Sequence, residues 1–420
     1  MTLDPTAVSG IASLAQEIAA SVDDSDHDDV AATVWSTYLD PLYADGRSVL
    51  EPLAEQSLNA VGIEDASLHD PAFETSHAID SGTINPTTFK NGVVIDVAQA
   101  AMGTCPSDLD VHRSRSVVAT VHTKDAGRHE TDWEEYDPGY GRMTVNKAPR
   151  VNAYAERIVH ALSLYYAESE HALQHADDVD DLLVLDGPLY PKQIFNWKAR
   201  ESELRTVTEE SQPRAIVQNY VDLVERFVER EVPLLGFVKN PISKFVTKTL
   251  TEESRKDDRR VPDPPWVDDT AMFVRLLERH DSAGERHRDD LTFTSWFVSR
   301  GGADETLASD RNPFDVDRSL SPEQYEVTFF VVYDPRDDLL FKIEAPRAFT
   351  DDAETREALT NYVLSEVALN RGPPTAVNKA DELARISNEE RQALKELFER
   401  DFDSEIRATY DDVRWAAEDL

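Results

Sequence analysis

Two acidic residues end two strand-like stretches of this sequence, and their positions suit chemistry on a bound cation. Asp186 follows the aliphatic run 182–185 and precedes turn-forming residues, and Asp80 ends a similar apolar stretch earlier in the chain. Such a run predicts a strand that is buried on both faces and delivers its acid to the carboxyl edge of a sheet. If the two strands are neighbours, the carboxylates form a site where a hard divalent cation offsets their mutual repulsion.

Each aspartate also has a purely structural explanation, because Asp commonly caps a turn when Ser-Gly or Gly-Pro follows it. Taken alone, Asp80 or Asp186 is more typical of such a turn than of a metal ligand. A metal site requires that the two strands lie side by side in the sheet. The order of the elements between them therefore decides which interpretation is favoured.

That order predicts that the two aspartates meet. Short connections typical of an antiparallel meander join three predicted strands, at 78–80, 92–97 and 117–121. Turn-forming residues predict a loop over 124–149, and helical spacing predicts a helix over 153–176 that leads into the strand ending at Asp186. Three antiparallel strands, a helix and a fourth strand beside the first give the order of the ribonuclease H-like fold. We therefore predict an α/β protein with a ribonuclease H-like mixed sheet and flanking helices.

In that fold the first and fourth strands are adjacent and parallel, so Asp80 and Asp186 are brought together and the metal interpretation is favoured. An acid of the intervening helix is the expected third ligand. Glu168 and Glu170 both lie in its last turns and flank its apolar stripe, so spacing does not choose between them. The alternative for either glutamate is a solvated helix face, where most glutamates lie.

Helical spacing recurs towards both ends of the chain. Residues 6–65 predict two or three helices, interrupted at 23–29 by an acidic segment more typical of a solvated linker than of a calcium loop. Later strands are predicted at 232–240, 292–298, 325–333 and 339–347. The predicted organisation is an N-terminal helical region (1–70), a core (71–350) with a helical insertion around 195–275, and a C-terminal helical region (351–420) that completes the core and forms the tail.

Composition limits the function classes. The 82 acidic and 43 basic residues leave a formal charge of −39, spread along the whole chain, which predicts a halophile's cytoplasmic protein. Neither a membrane-spanning run nor a signal peptide is evident. The single Cys105 excludes an intrachain disulfide and a Cys-based zinc site. No P-loop or nucleophile elbow occurs, so we expect neither an ATPase nor a Ser-His-Asp hydrolase, and any motor must be a partner.

One segment carries a local surplus of positive charge. Lys239, Lys244 and further basic residues follow the fifth predicted strand as far as residue 260. They suit a grip on phosphates, or equally a solvated helix whose charges answer neighbouring acids. Lys239 itself suits either a phosphate contact or a snorkelling position. The charge of −39 opposes nucleic-acid binding at ordinary ionic strength, whereas molar salt screens this repulsion.

Five short motifs give the chain a resemblance to the NurA nuclease family of archaea and bacteria. They are AIDSG at 78–82, LDGPL at 185–189, GFVKN at 236–240, IEAP at 343–346 and NKADELA at 378–384. The resemblance implies a ribonuclease H-like core with Mn²⁺-dependent 5′–3′ exonuclease and single-strand endonuclease activity on DNA. It also implies a homodimer that docks onto a hexameric HerA-type ATPase and resects DNA ends at double-strand breaks.

The resemblance also assigns residue roles. The metal acids would be Asp80, Asp186 and either Glu170 or Glu168, with Mn²⁺, or alternatively Mg²⁺, as the cation. Asp381 falls near the family's C-terminal active-site position, where a histidine often stands. The candidate DNA contacts are Lys239, Lys244 and Tyr190.

Two other functions remain open at this point. In the first, the chain is a catalytically weak or inactive subunit that binds and regulates a DNA-translocating ATPase. In the second, it is a relative of transposases and resolvases. Glu344 and Arg347 are expected to form a structural ion pair. The aromatic residues of the later strands are expected in the core, although they also suit stacking on single-stranded bases. These are Trp296, Tyr325, Phe329 and Tyr333.

Overall fold

The computed structural model describes residues 4–21, 27–124, 130–198, 202–256 and 262–408 of the chain. Within these ranges fifteen strands form one continuous mixed sheet. They are β1 (Leu42–Ala44), β2 (Arg47–Pro52), β3 (Leu58–Gly62), β4 (Ser76–Thr83), β5 (Thr87–Thr88), β6 (Val94–Cys105), β7 (Arg115–His122), β8 (Glu134–Asp137), β9 (Gly141–Lys147), β10 (Leu183–Asp186), β11 (Leu234–Val238), β12 (Asp290–Thr294), β13 (Phe297–Ser299), β14 (Val327–Asp334) and β15 (Leu339–Pro346).

Helices flank this sheet. The α-helices are α1 (Pro5–Ser21), α2 (His27–Thr33), α3 (Ile63–Ser67), α4 (Leu109–Arg113), α5 (Ala155–Gln174), α6 (Lys192–Trp197), α7 (Ser202–Val207), α8 (Ser211–Glu229), α9 (Phe245–Arg255), α10 (Asp269–Leu277), α11 (Arg347–Thr350), α12 (Ala353–Asn370), α13 (Thr375–Ala384) and α14 (Asn388–Asp401). A π-helical turn (Val34–Tyr38) extends α2. Of the helices in the described ranges, none is both long and apolar enough to span a membrane.

The strand order confirms the predicted fold class. The centre of the sheet runs β7-β6-β4-β10-β11. Here β4 is antiparallel to β6 and β6 to β7, whereas β10 is parallel to both β4 and β11. The first and fourth strands of the predicted meander are therefore neighbours. Because they are parallel, their carboxyl ends lie at the same edge of the sheet.

Alternate residues of the central strands face two different cores, as the period of two requires. Ile79 and Leu183 pack in one core with residues of α5 and α8, such as Ile158 and Ile216. Residues one position away in β4 and β10 pack in a second core against α12 and α13. The sheet is thus covered by helices on both faces, which explains the uninterrupted aliphatic run before Asp186.

A notch forms where β10 ends and β4 continues. The last pair between these strands joins Leu185 to Ile79, whereas β4 stays paired with β6 as far as Thr83. After Asp186 the chain turns at Gly187, whose φ of +134° favours glycine. The turn passes directly over Gly236 of β11, because a Cβ there would lie 2.6 Å from the Leu189 amide nitrogen. The second half of β4 therefore borders an opening.

The expectation that residues 6–65 are helical is wrong for residues 42–62. Residues 42–62 contain β1, β2 and β3, which join the sheet by pairing with β13 and β12. Their pairing with strands more than two hundred residues later overrides a helix-like spacing of leucines. The described part of the 1–70 region is thus helical before residue 39 and again in α3, with three strands between. Of the acidic segment 23–29, residues 23–26 lie outside the described ranges, and the remainder begins α2.

The predicted loop over 124–149 is also wrong, since β8 and β9 form a hairpin there and β9 pairs in parallel with β7. Both strands are polar because they lie at one end of the sheet, where side chains remain partly exposed. Two later predictions merged neighbouring elements. The stretch 292–298 is divided between β12 and β13, and the helix expected from 379 to about 400 is divided between α13 and α14 at residues 385–387.

Candidate metal centre

Three aspartates from three elements meet at the edge of the sheet. Oxygen atoms of Asp80, Asp186 and Asp381 all lie within 4.8 Å of one another. Asp80 belongs to β4, Asp186 ends β10, and Asp381 lies on α13. Three carboxylates this close are the donor set that suits a hard divalent cation such as Mg²⁺ or Mn²⁺.

A glycine of β6 allows α13 to bring Asp381 to this position. A Cβ on Gly103 would lie 2.4 Å from the backbone nitrogen of Ala380 and 2.5 Å from the carbonyl oxygen of Ala376. The helix therefore lies directly on the strand, and Asp381 follows the contact by one residue. This packing joins elements that are far apart in sequence.

The structure places Glu168, and not Glu170, beside the aspartates. The Ser81 hydroxyl donates a hydrogen bond of 2.7 Å to Glu168 Oε1, and the Ser81 amide donates one of 2.7 Å to Asp80 Oδ1. Glu170 is turned away: its carboxylate accepts a hydrogen bond from Asn219 Nδ2 at 3.0 Å and lies 3.6 Å from Arg142 Nη2. Residues two apart on a helix point in nearly opposite directions, so only one of the two glutamates reaches the site.

The fold brings the acids of this site close together although their negative charges repel one another. Burial raises the pKa of Asp80 to about 7, and the neighbouring charge of Asp186 raises it in the same direction. Burial also raises the pKa of Glu168 well above its ordinary value, again with a contribution from Asp80. Burial raises the pKa of Asp186, although the positive charge of Lys239 opposes the change. A divalent cation relieves this repulsion, so the electrostatics agree with the donor set.

Lys239 supplies positive charge at the border of the site. Its Nζ lies 2.6 Å from Asp186 Oδ2. Lys239 follows β11, which is parallel to β10, so its side chain is delivered to the same sheet edge as Asp186. The ammonium group of Lys239 is partly exposed beside the acids, which is compatible with a phosphate contact.

The other two candidate DNA contacts differ from Lys239. Lys244 is exposed and immediately precedes α9. Tyr190 does not fit the role, because its side chain is only 1% exposed and its hydroxyl donates to the carbonyl oxygen of Tyr325. Its ring belongs to the core beneath the turn that follows Asp186. Of the basic segment 239–260, residues 257–260 lie outside the described ranges.

The expected ion pair between Glu344 and Arg347 is absent from the described structure, where each residue has other partners. Glu344 is 1% exposed and lies 2.6 Å from Lys192 Nζ and 2.7 Å from Lys342 Nζ. Burial raises its pKa, but the two lysines outweigh burial and lower the pKa to about 2. Arg347 instead pairs with acidic residues of neighbouring segments. The four aromatic residues of the later strands, Trp296, Tyr325, Phe329 and Tyr333, are all buried.

Glu344 connects three of the five sequence motifs. Its Oε2 accepts a hydrogen bond of 3.2 Å from the Leu189 amide, and its backbone pairs with Gly236. The motifs LDGPL, GFVKN and IEAP thus meet around the turn after Asp186. Their common task is to hold that turn, and through it the carboxylate, in place.

A pocket of about 340 Å³ opens along the second half of β4, where residues 80–83 line it. Asp80, Ser81 and Asp381 line it together with Arg385 and Arg391. Ser81 stands next to Asp80 in sequence, so its position offers a signal for a supporting role. The two arginines carry no such signal, since only the packing of α13 and α14 brings them here.

A ribonuclease H-like sheet with clustered carboxylates at its edge defines a class of proteins built to hold hard divalent cations. The family model described as the NurA domain matches residues 74–386, and the chain belongs to this family.

The solved structures that the chain matches include the NurA nuclease from Sulfolobus solfataricus. It is 12% identical, with 83% of this chain and 87% of that chain covered and a TM-score of 0.45. A structure of NurA with manganese is 10% identical (80% and 92% covered, TM-score 0.41), and one of NurA bound to dAMP and manganese is 10% identical (94% and 97% covered, TM-score 0.37). No curated protein matches the chain.

Proposed function

We propose that this chain is a Mn²⁺-dependent deoxyribonuclease with 5′–3′ exonuclease and single-strand endonuclease activity that acts in the resection of DNA double-strand breaks. The observation that carries the proposal is the set of three carboxylates within 4.8 Å of one another, with Glu168 beside them. Membership of the NurA family supports it. The donor set suits Mg²⁺ as well, and Mn²⁺ is the cation we propose.

The residues of the site would have different roles in phosphodiester hydrolysis. Asp80, Asp186 and Asp381 would hold the cation, which when bound activates a water molecule and stabilises the leaving oxygen. Glu168, whose Oε1 accepts a hydrogen bond from the Ser81 hydroxyl, would add a further carboxyl group beside the aspartates. Lys239 would contact a non-bridging oxygen of the phosphate, and its positive charge opposes the rise that burial causes in the pKa of Asp186.

We propose partners for two reasons: the chain is strongly acidic, and its sequence contains no P-loop that would make it an ATPase itself. A chain of −39 repels DNA, so stable engagement requires a channel formed by a homodimer and a hexameric HerA-type ATPase. The α1 helix offers an apolar stripe for docking, because Val8, Ile11 and Leu14 are 50%, 54% and 58% exposed. We place this assembly in the cytoplasm of a halophile, where high salt screens the acidic surface.

The test of the activity is the replacement Asp186→Asn. We expect Mn²⁺-dependent cleavage of a 5′-labelled single-stranded oligonucleotide at high KCl to fall by about 100-fold or more, because loss of even an outer-shell partner of a metal ligand costs roughly 10- to 100-fold. Glu168→Gln should also reduce the rate, while the unfolding transition shows that both variants remain folded.

Glu170→Gln is the matched control, since it removes the same charge from the same helix outside the aspartate cluster. Its cleavage rate should stay close to that of the unmodified chain. Full activity in Asp186→Asn, or equal losses in Glu168→Gln and Glu170→Gln, would contradict the assignment of the site.

One observation favours a second candidate, a catalytically inactive subunit that regulates the ATPase. The Lys239 ammonium lies 2.6 Å from Asp186 and already neutralises one acid of the cluster. Under this alternative the isolated chain binds the ATPase but neither binds Mn²⁺ nor cleaves DNA. Calorimetric titration with Mn²⁺ separates the two candidates, and Lys239→Met should strengthen cation binding if the lysine competes with it.

A further inference from the structure

Two arginines share a pocket with the acidic cluster. Arg385 follows Asp381 by about one helical turn at the end of α13, and Arg391 lies in the first turns of α14. Both line the pocket that Asp80 and Asp381 also line. The notch beside β4 therefore presents carboxylates and guanidinium groups to the same space.

Neither arginine is neutralised within the part of the chain that the structure describes. No ion pair joins Arg385 or Arg391 to a described carboxylate, and the Nε of Arg391 is buried without a hydrogen-bond partner. The nearest acid in sequence to Arg391 is Glu390. Its carboxylate instead accepts a hydrogen bond of 2.8 Å from the Ser387 amide, which caps α14. In a chain with 82 acidic residues, two arginines without an ion pair in a pocket that Asp80 and Asp381 also line require an explanation.

The backbone holds both arginines in place. A Cβ on Gly82 would lie 2.3 Å from the carbonyl oxygen of Ala384, so the end of α13 lies directly on β4. Ile386, between the two arginines, is buried in a small core, and Leu394 and Phe398 of α14 pack against that core. Arginine side chains on a backbone that is held in place beside the acidic cluster are an arrangement that suits phosphate recognition.

We infer that Arg385 and Arg391 bind a phosphate group of the DNA strand that is being cleaved. This phosphate is the neighbour of the scissile phosphate. The inference rests on the proposed nuclease function and adds a position-specific contact to it. Guanidinium groups match the geometry of phosphate oxygens, and the aspartates of the same pocket exclude this anion from their own side unless a cation binds there. The scissile phosphate thus lies at the aspartates and its neighbour at the arginines.

The first test compares Arg385→Ala and Arg391→Ala with the unmodified chain. Because the contact exists in both the bound ground state and the transition state, KM for a single-stranded oligonucleotide should rise about 10-fold while kcat changes little. The slope of log binding affinity against log KCl should become shallower, by about 0.7 in the double variant Arg385→Ala/Arg391→Ala, since the two arginines together neutralise one phosphate.

Arg400→Ala is the control, because Arg400 lies on the same helix α14 and pairs with Asp401 away from the pocket. It should leave KM and the salt slope unchanged. Arg391→Lys keeps the charge at the half-buried position and should keep the salt slope. Arg385 is exposed, so its replacement tests the site without a risk to folding.

A second test identifies the phosphate. Uncharged methylphosphonate linkages are placed one at a time on either side of the cleaved bond. One position should raise KM in the unmodified chain and have no further effect in the double variant Arg385→Ala/Arg391→Ala, because the two changes remove the same interaction.

The outcomes separate this inference from the proposed function. If the unmodified chain cleaves DNA with Mn²⁺ but both arginine variants keep its KM and salt slope, the phosphate site is wrong and the nuclease function stands. A loss in kcat alone would place the arginines at the scissile phosphate and also overturn the inference. If the unmodified chain does not cleave, anisotropy of a fluorescent oligonucleotide still decides, since the variants must bind it more weakly.

Discussion

At the residue scale, the site is a set of carboxylates that the fold forces together at a cost in stability. The charge of Asp186 raises the pKa of the half-buried Asp80, and both aspartates raise the pKa of Glu168. Natural sequences retain such conflicts where they serve a function. The conflict also predicts how the protein without a bound cation responds to pH.

Asp80→Asn should stabilise the metal-free protein at pH 8. The pKa of Asp80 is about 7 in the folded chain and 3.8 as the ordinary value. From about pH 4 to about pH 7 the folded state therefore retains a proton that the unfolded state has lost, and stability falls as pH rises through this window. Removing the carboxylate should raise the free energy of unfolding above about pH 7 by up to about 4 kcal/mol, and by less near pH 5.

Thermal melts of the metal-free protein at constant KCl measure this effect, with exposed Asp310→Asn as the control. Mn²⁺ should raise the melting temperature of the unmodified chain and not that of Asp80→Asn. Equal melting temperatures for Asp80→Asn and the unmodified chain at pH 8 would show that the ionised Asp80 carboxylate does not destabilise the folded state.

The sequence predicts some of these residues better than others for a physical reason. Asp80 and Asp186 end buried strands, and that local pattern is visible in the sequence. The choice between Glu168 and Glu170 depends on how α5 is rotated against the sheet, which local spacing does not reveal. Tyr190 follows the strand end but turns into the core, and Arg385 reaches the site only through the packing of Gly82 against Ala384.

At the element scale, the turn after Asp186 is held from below by β11 and from the side by Glu344. Gly236 gives the turn its space, and the Leu189 amide donates to the Glu344 carboxylate. Glu344 is itself fixed by Lys192 and Lys342. Residues that never touch the cation therefore determine where Asp186 lies.

Gly236→Ala should damage both stability and activity. The new methyl group would lie 2.6 Å from the Leu189 nitrogen and 2.7 Å from the Gly187 carbonyl oxygen, so the backbone after Asp186 must move. We expect a loss of about 1–3 kcal/mol in the free energy of unfolding, as for other overpacked sites, together with a lower rate of Mn²⁺-dependent cleavage. Denaturant unfolding and the oligonucleotide assay measure the two effects.

Gly10→Ala is the control, since a Cβ at Gly10 meets nothing within 4 Å and alanine favours the helix α1. It should leave activity unchanged and stability equal or slightly higher. Unaltered stability and cleavage in Gly236→Ala would mean that the turn after Asp186 adapts freely and that its position is not set by β11.

The sequence predicted the central elements correctly and the outer ones poorly. The strands β4, β10 and β11 are buried on both faces, and their aliphatic runs identify them. The strands within 42–62 and 134–147 are short or polar, and their pairing partners are supplied by distant parts of the chain. Local patterns do not contain that information.

At the scale of the whole molecule, charge and function oppose each other. A formal charge of −39 repels a DNA strand, while the proposed reaction requires that strand to enter the notch beside β4. Lys239, Arg385 and Arg391 provide positive charge only at the site itself. Screening at molar salt would remove the long-range repulsion and leave these local contacts, and we propose that partners bind the rest of the strand.

The apolar stripe of α1 is where we expect the ATPase to contribute that hold. Replacing Val8, Ile11 and Leu14 together by Ser should reduce the stimulation of cleavage by a HerA-type ATPase with ATP and leave basal Mn²⁺-dependent cleavage unchanged, because these side chains are half exposed and far in sequence from the acidic cluster. Cleavage of a labelled duplex at molar KCl, with and without the ATPase, measures both quantities.

The matched control changes the polar face of the same helix, with Ser13→Ala and Gln16→Ala, and should affect neither rate. If the apolar variant lost basal cleavage and stimulation to the same extent, α1 would serve the core fold of the chain or of its dimer. If stimulation persisted, the ATPase would dock elsewhere. Selective loss of stimulation would show that an acidic nuclease subunit engages DNA through a partner attached to its first helix, while its own positive charge is reserved for the phosphates at the site of cleavage.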